Sequence, residues 1–209
     1  KYANKNNFNY QYYLSLNSDT LLNNDFLKNL YIKIHQKSDY LMYGFKVFNQ
    51  STKQYSIAHE FNTYIGNIKS LDTIPTSNKL FYPTGCATLF KKSFFKYIGY
   101  FDEQLFFYGD ELDFVLRLKN KNKSFYIFED LIINHNVGSS VPISKGKKAN
   151  LFADYFSWRA RLIIMDKHFF LGFYRAKLML IAFLLKRIIS RRYINFDIYI
   201  FLFTSSKNK

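Results

Sequence analysis

The chain has 209 residues, 48% of them apolar, enough for one packed domain and too many for a disordered polymer. Thirty Lys and Arg against fifteen Asp and Glu leave +15, a balance that favours an anionic partner without choosing among lipid, nucleic acid and phosphorylated substrates. A single cysteine, Cys86, excludes an intrachain disulfide scaffold and a cysteine-rich zinc site.

Residues 10–16 read as a buried strand that runs into a polar turn, Asn17-Ser18-Asp19-Thr20. Asn23 or Asn24 then caps a helix with Phe26, Leu27, Leu30 and Ile34 at helical spacing. Aromatic, β-favouring runs from Tyr40 to Phe48 and from Tyr55 to Phe61 predict neighbouring strands, and residues 66–80 read as a polar loop. Phe81 to Phe90 is strand-like but broken at Pro83, Thr84 and Gly85. A short helix from Ser93 to Tyr97 stops at Gly99, and a longer one runs from Asp110 to about Lys119 behind an acidic start. Strands near 124–128 and 131–134 follow, then a Gly/Ser/Lys-rich loop at 138–149.

From residue 150 the pattern changes to one or two long helices rich in aromatics, Arg and Lys. The longest apolar run, Leu178 to Leu185, is eight residues, against about 18 needed to span a bilayer. Arg175, Lys177, Lys186, Arg187, Arg191 and Arg192 flank it, which suits a helix in a membrane interface and equally a core helix with a solvated basic face. The expected organisation is an α/β core over 1–149 and a basic helical extension over 150–209.

Three places can carry chemistry. Asp19 follows a buried strand, so it is either a turn residue or a carboxylate offered to a ligand at a sheet's carboxyl edge. Asp110, Glu111 and Asp113 crowd one helix start, where mutual repulsion raises at least one pKa; an acidic helix start and a general base fit equally well. His135 ends an apolar strand before the Gly/Ser loop, facing a ligand or filling a structural place. Gly85 marks a close backbone approach, Cys86 a small buried hydrophobe, and His35, His59 and His168 carry no expected role.

In order, these pieces resemble family 2 glycosyltransferases, especially the rhamnosyltransferase-like members. Leu14-Ser15-Leu16-Asn17-Ser18-Asp19-Thr20 is similar to their strand and metal-binding turn. Pro83-Thr84-Gly85-Cys86-Ala87, followed by Phe90-Lys91-Lys92, is similar to their substrate loop. Ile98-Gly99-Tyr100-Phe101-Asp102-Glu103 resembles their Gly-Gly-Phe-Asp-Glu turn, and Phe107 to Arg117 their acidic base motif. The helix from Tyr155 to Arg161 also has its counterpart there. The likeness runs over about residues 9–165.

The resemblance implies a GT-A (Rossmann-like) fold and an inverting transfer from a nucleotide-diphospho-sugar donor to a hydroxyl of a lipid-linked or polysaccharide acceptor, in cell-surface polysaccharide synthesis. It implies Mg²⁺ or Mn²⁺ held by Asp19 and His135, with Glu111 as base and Asp110 in reserve. Asn17, Thr84, Gly85, Asp102 and Asp113 fall to substrate binding, Asp113 with the alternative of capping its helix. The acidic pair stands here as Asp-Glu where the family usually has Glu-Asp. The family's opening βαβ nucleotide-binding unit has no counterpart ahead of Asn17, so a truncated reading frame or a piece of a longer protein is expected. The basic extension implies peripheral attachment to the inner face of a bacterial plasma membrane. An inactive remnant that only binds membranes is the alternative. Nucleic acid is not expected as a partner: no recognition signature is present and the carboxylate cluster opposes phosphate.

Overall fold

The computed structural model describes residues 9–76, 78–136 and 151–190. Its core is a mixed α/β assembly of a six-stranded sheet, a small antiparallel sheet and a C-terminal helical pair. The large sheet has the order β1 (Tyr12–Leu16), β8 (Ala87–Lys91), β3 (Met42–Asn49), β9 (Tyr126–His135), β2 (Thr20–Leu21), with β4 (Gln54–Ser56) on β3. Only β3 and β9 run parallel; the other pairings are antiparallel. The small sheet is β6 (Ile68–Leu71), β5 (Ala58–Phe61), β7 (Phe81–Pro83).

Strand alternation explains how the layers form. Along β3, Tyr43, Phe45 and Val47 face α1 (Phe26–Gln36), while Met42 faces the other side of the sheet. Along β8, Ala87 and Leu89 join the α1 layer, and Phe90 the opposite one. α1 seats Phe26, Leu30 and Ile34 in the core, whereas Leu27 is 60% exposed. Against Phe90 pack Phe94 of α2 (Lys92–Tyr97) and Phe114 of α3 (Asp110–Asn120), with ring centroids 4.9 and 5.3 Å from it.

The helical pair, α4 (Leu151–His168) and α5 (Gly172–Ile189), closes the same layer. Trp158, Leu162, Ile164, Met165, Ala176 and Leu180 share one hydrophobic cluster with Phe94, Phe114 and Leu118, so the extension and the sheet are built around a common core. Among the described residues no helix is long and apolar enough to cross a membrane.

Some expected elements differ. The two strands near 124–134 are one strand, β9, whose register against β3 jumps from Phe45↔Phe128 to Lys46↔Ile132; the inserted residues form an irregularity that the sequence shows as a break. The loop 66–80 contains β6, a short strand whose polar residues lie on an exposed edge. The run 81–90 is two strands in two different sheets, because the bend at Thr84-Gly85 hands the chain from one to the other. The second aromatic run, 55–61, likewise splits: β4 pairs with β3, while β5 starts the small sheet. The loop 138–149 and the basic pair Arg191 and Arg192 lie outside the described residues.

One buried charge ties the layers together. Asp113 of α3 is fully buried and takes hydrogen bonds of 2.8 Å from Lys167 Nζ and 2.7 Å from His168 Nε2, both at the end of α4. Arg117 Nη2 lies 2.6 Å from its other oxygen, and Arg117 Nη1 donates to the carbonyls of Ile98 and Tyr100 at 3.0 Å. Burial alone raises the Asp113 pKa, but the bonds from His168 and Lys167 and the Arg117 charge prevail and hold it at about 2. A depressed folded-state pKa contributes stability that is present above about pH 4 and lost as pH falls towards 2. Asp113→Ala leaves Lys167, Arg117 and the His168 ring facing an empty seam, and we expect a loss of about 3–5 kcal/mol in urea unfolding at pH 7. The wild-type advantage over Asp113→Ala should shrink as the same titration is repeated between pH 5 and pH 3.

Candidate active site

The turn after β1 is fastened on both sides. Asn17 N–H donates to the Cys86 carbonyl at 2.9 Å, and Asn136 N–H to the Asp19 carbonyl at 2.9 Å. Thr20 adds a 2.7 Å bond from its hydroxyl to the Asn17 carbonyl. Because β2 pairs with β9 in the register Thr20↔His135, the ring of His135 meets the Asp19 carboxylate: Nε2 lies 3.1 Å from Oδ1. Residues 116 apart in sequence thus form a buried-to-half-buried oxygen and nitrogen pair.

Beside this pair opens a cleft of about 670 Å³. Its walls include Asn17, the Thr84-Gly85-Cys86 bend, Asp110 and Glu111 at the start of α3, His135, and Arg161 on α4. The start of α3 is aimed by a sharp turn in which Tyr108 and Gly109 both take positive φ, +75° and +94°. Gly109 is needed twice over: the backbone is left-handed, and a Cβ there would lie 2.8 Å from Ile164 Cδ1 and 3.3 Å from Ala160 Cβ. Gly85 has a different reason. A Cβ at that position would sit 2.6 Å from the Glu111 carboxyl carbon, so the missing side chain is the space the carboxyl occupies.

The carboxylates at this helix start have opposite fates. Burial, then the charges of Glu111, Asp113 and Asp102, push Asp110 up to about 7 against a weaker pull from Arg117. Burial also raises Glu111, partly relieved by a backbone hydrogen bond. Asp110 can therefore hold a proton near neutral pH, and Glu111 holds one more tightly than an exposed carboxyl does. Cys86 has its thiol pushed up to about 12, first by burial and then by Glu111 and Asp19, which leaves it an inert packing residue.

Of the expected site residues, the structure brings Asn17, Thr84, Gly85, Asp110, Glu111 and His135 to one cleft, with Asp19 against His135. Asp102 and Asp113 are elsewhere. Asp102 accepts from Lys167 Nζ at 2.8 Å and from the Gln104 N–H at 2.9 Å, and Asp113 is the buried hub between helices. Both carboxylates are engaged in holding α4, and neither is among the residues lining the cleft. Two residues passed over in the sequence have roles. His168 is an Asp113 ligand at 2.7 Å, and His59 lines the cleft with its ring 5.4 Å from that of Tyr82, its pKa lowered by burial. Nothing near His59 in sequence signals this, because its neighbours across the cleft come from β7.

Comparison with known proteins gives no match: no family model aligns with the chain, and no curated protein is significantly similar to it.

The raised pair makes a stability prediction. A carboxyl whose folded pKa lies above its unfolded value destabilises the fold once ionised, so stability falls as pH rises from about 4 through 7. Asp110→Asn removes that cost, and its melting temperature should exceed that of the wild type at pH 8 while matching it near pH 4. The difference corresponds to on the order of 2 kcal/mol after allowance for partial solvent contact.

Proposed function

We propose that this cleft belongs to a glycosyltransferase of the GT-A kind, moving a sugar from a nucleotide-diphospho-sugar to a hydroxyl of a lipid-linked or polysaccharide acceptor. The observation that carries the reading is the Asp19–His135 pair, 3.1 Å apart on the rim of a cleft that also holds a desolvated carboxyl pair. An oxygen and a nitrogen donor suit Mn²⁺ or Mg²⁺, and among the described residues no third His, Cys, Asp or Glu converges on them. That donor set fits an ion whose remaining ligands are diphosphate oxygens and water. When bound, such an ion supplies positive charge to the leaving diphosphate.

The chain's own residues divide the rest of the work. Glu111, seated on Gly85, takes the proton of the acceptor hydroxyl as its oxygen bonds to the anomeric carbon and the bond to the diphosphate breaks. Asp110 shares the proton and keeps the pair's affinity for it near neutral. Asn17 and the Thr84-Gly85 backbone border the space where the sugar would lie, and Thr84 is itself positioned by Ser56, 3.1 Å between hydroxyls. The exposed rings of Phe106 and Tyr108 at the cleft offer faces for a carbohydrate.

α5 supports a place beside a membrane. Tyr174, Leu178, Ile181, Leu185 and Ile188 recur at four- and three-residue spacing and are 38–66% exposed, on a helix carrying Arg175, Lys177, Lys186 and Arg187. An apolar stripe with basic neighbours lies in an anionic headgroup layer. The face is consistent with peripheral attachment at the cytoplasmic side of a bacterial plasma membrane.

Binding, turnover and vesicle sedimentation test the reading. Calorimetric titration of UDP with Mn²⁺ should show binding that falls at least tenfold in Asp19→Ala, while Glu111→Gln binds normally and loses at least 10²-fold in transfer rate. In the wild type kcat/KM should climb as pH rises above the ordinary carboxylate range, since burial raises the Glu111 pKa and the base acts unprotonated. UDP, GDP and dTDP all failing to bind a folded wild type would sink the reading and leave a membrane-binding remnant. For the membrane, Leu178→Asp with Leu185→Asp should weaken sedimentation with vesicles containing phosphatidylglycerol by at least tenfold; unchanged sedimentation would reject the α5 face.

A further inference from the structure

Arginines of this fold are generally met by oxygen. Arg117 has Asp113 and two carbonyls, Arg187 has Asp154, Arg159 donates to the Gln104 carbonyl, and Arg175 to that of Phe170. Arg161 is different. It lines the cleft and no carboxylate or carbonyl among the described residues pairs with it, while its Nε, like those of Arg117 and Arg175, is buried without a hydrogen-bond partner. Its guanidinium carbon lies 4.7 Å from the centre of the Trp158 ring, so one face rests on an aromatic platform. That contact orients the group but satisfies none of its five N–H donors.

A desolvated cation without a counter-ion is expensive, and burial lowers the Arg161 pKa for the same reason. The cost is recovered when a ligand brings the anion. A planar fork fixed on Trp158 suits a two-oxygen group, phosphate or carboxylate, better than it suits a neutral hydroxyl. Tyr82, Glu111 and Arg161 all line this one cleft. A ligand lying there presents an anionic end to Arg161 and a neutral, proton-giving end to Glu111.

We propose that Arg161 is an anion-anchoring residue of the cleft, separate from the Asp19–His135 pair, and that it receives a phosphate or carboxylate group of a bound substrate. The assignment rests on the cleft as the substrate site put forward above, but on neither the metal pair nor sugar transfer.

Pyrophosphate titrated calorimetrically in the presence of EDTA reads the site directly. Wild type should bind it; Arg161→Gln should weaken binding at least tenfold, Arg161→Lys should keep an intermediate affinity, and Asp19→Ala should bind as wild type does. Free of ligand, Arg161→Gln should melt above the wild type, and pyrophosphate should raise the melting temperature of the wild type but not that of Arg161→Gln. Equal binding by wild type and Arg161→Gln, or no binding by a folded wild type, would overturn the proposal. Adding UDP with Mn²⁺ then identifies the source: displacement of pyrophosphate assigns the anchor to the donor diphosphate, and simultaneous binding assigns it to an anion on the acceptor. Loss of UDP binding with pyrophosphate binding retained would count against sugar transfer and leave the Arg161 site standing.

Discussion

Asp113 is a charge placed where charge is costly, and the arrangement of α3 and α4 follows from how that cost is met. Its carboxylate has no water to turn to, so Lys167, His168 and Arg117 must all stand within reach. Two of them end α4 and the third lies one turn along α3. Meeting the charge therefore fixes how the two helices lie together. It also ties in the Asp102 turn, through Lys167, and the Ile98–Tyr100 backbone, through Arg117. With the end of α4 pinned, the middle of that helix packs Ala160 and Ile164 against Gly109 and leaves Arg161 on the cleft wall.

The cleft itself is left electrostatically unfinished, in contrast to the seam behind it. Three carboxylates within four residues begin α3. One is held at about 2 by His168, Lys167 and Arg117, while at Asp110 burial outweighs the pull of Arg117, and burial raises Glu111 as well. The same helix start thus carries a structural ion pair and a proton-accepting pair. Across the cleft, no carboxylate among the described residues pairs with the Arg161 guanidinium. Natural folds satisfy such groups wherever stability is the only demand, so uncompensated charge of both signs at one cavity reads as provision for a ligand.

Glycine does comparable work at two points. Gly85 gives its side-chain space to the Glu111 carboxyl, and Gly109 lets α4 come close enough to aim the start of α3. Each is a small-residue requirement imposed by a partner far away in sequence: 26 positions separate Gly85 from Glu111, and Ile164 lies still farther from Gly109.

Local patterns in the sequence were sufficient for the strand 12–16, the helices 26–36, 92–97 and 110–120, and the long helices after 150, because hydrophobic period and turn residues are properties of neighbours. They also marked Asp19, Gly85, Asp110, Glu111 and His135 as chemically unusual. They failed where the answer depended on distant partners. The strand at 68–71 exists because β5 lies beside it, the break at 83–85 hands the chain from one sheet to the other, and that at 129–131 is a register shift against β3 within one strand. Asp113 looked like a third member of the acidic site, and only the arrival of Lys167 and His168 from 54 and 55 residues away makes it a structural hub. By itself the sequence determined which residues carry ionisable groups in unusual settings; the tertiary structure decided which of them are left unsatisfied, because compensation of a buried charge depends on groups brought together by packing.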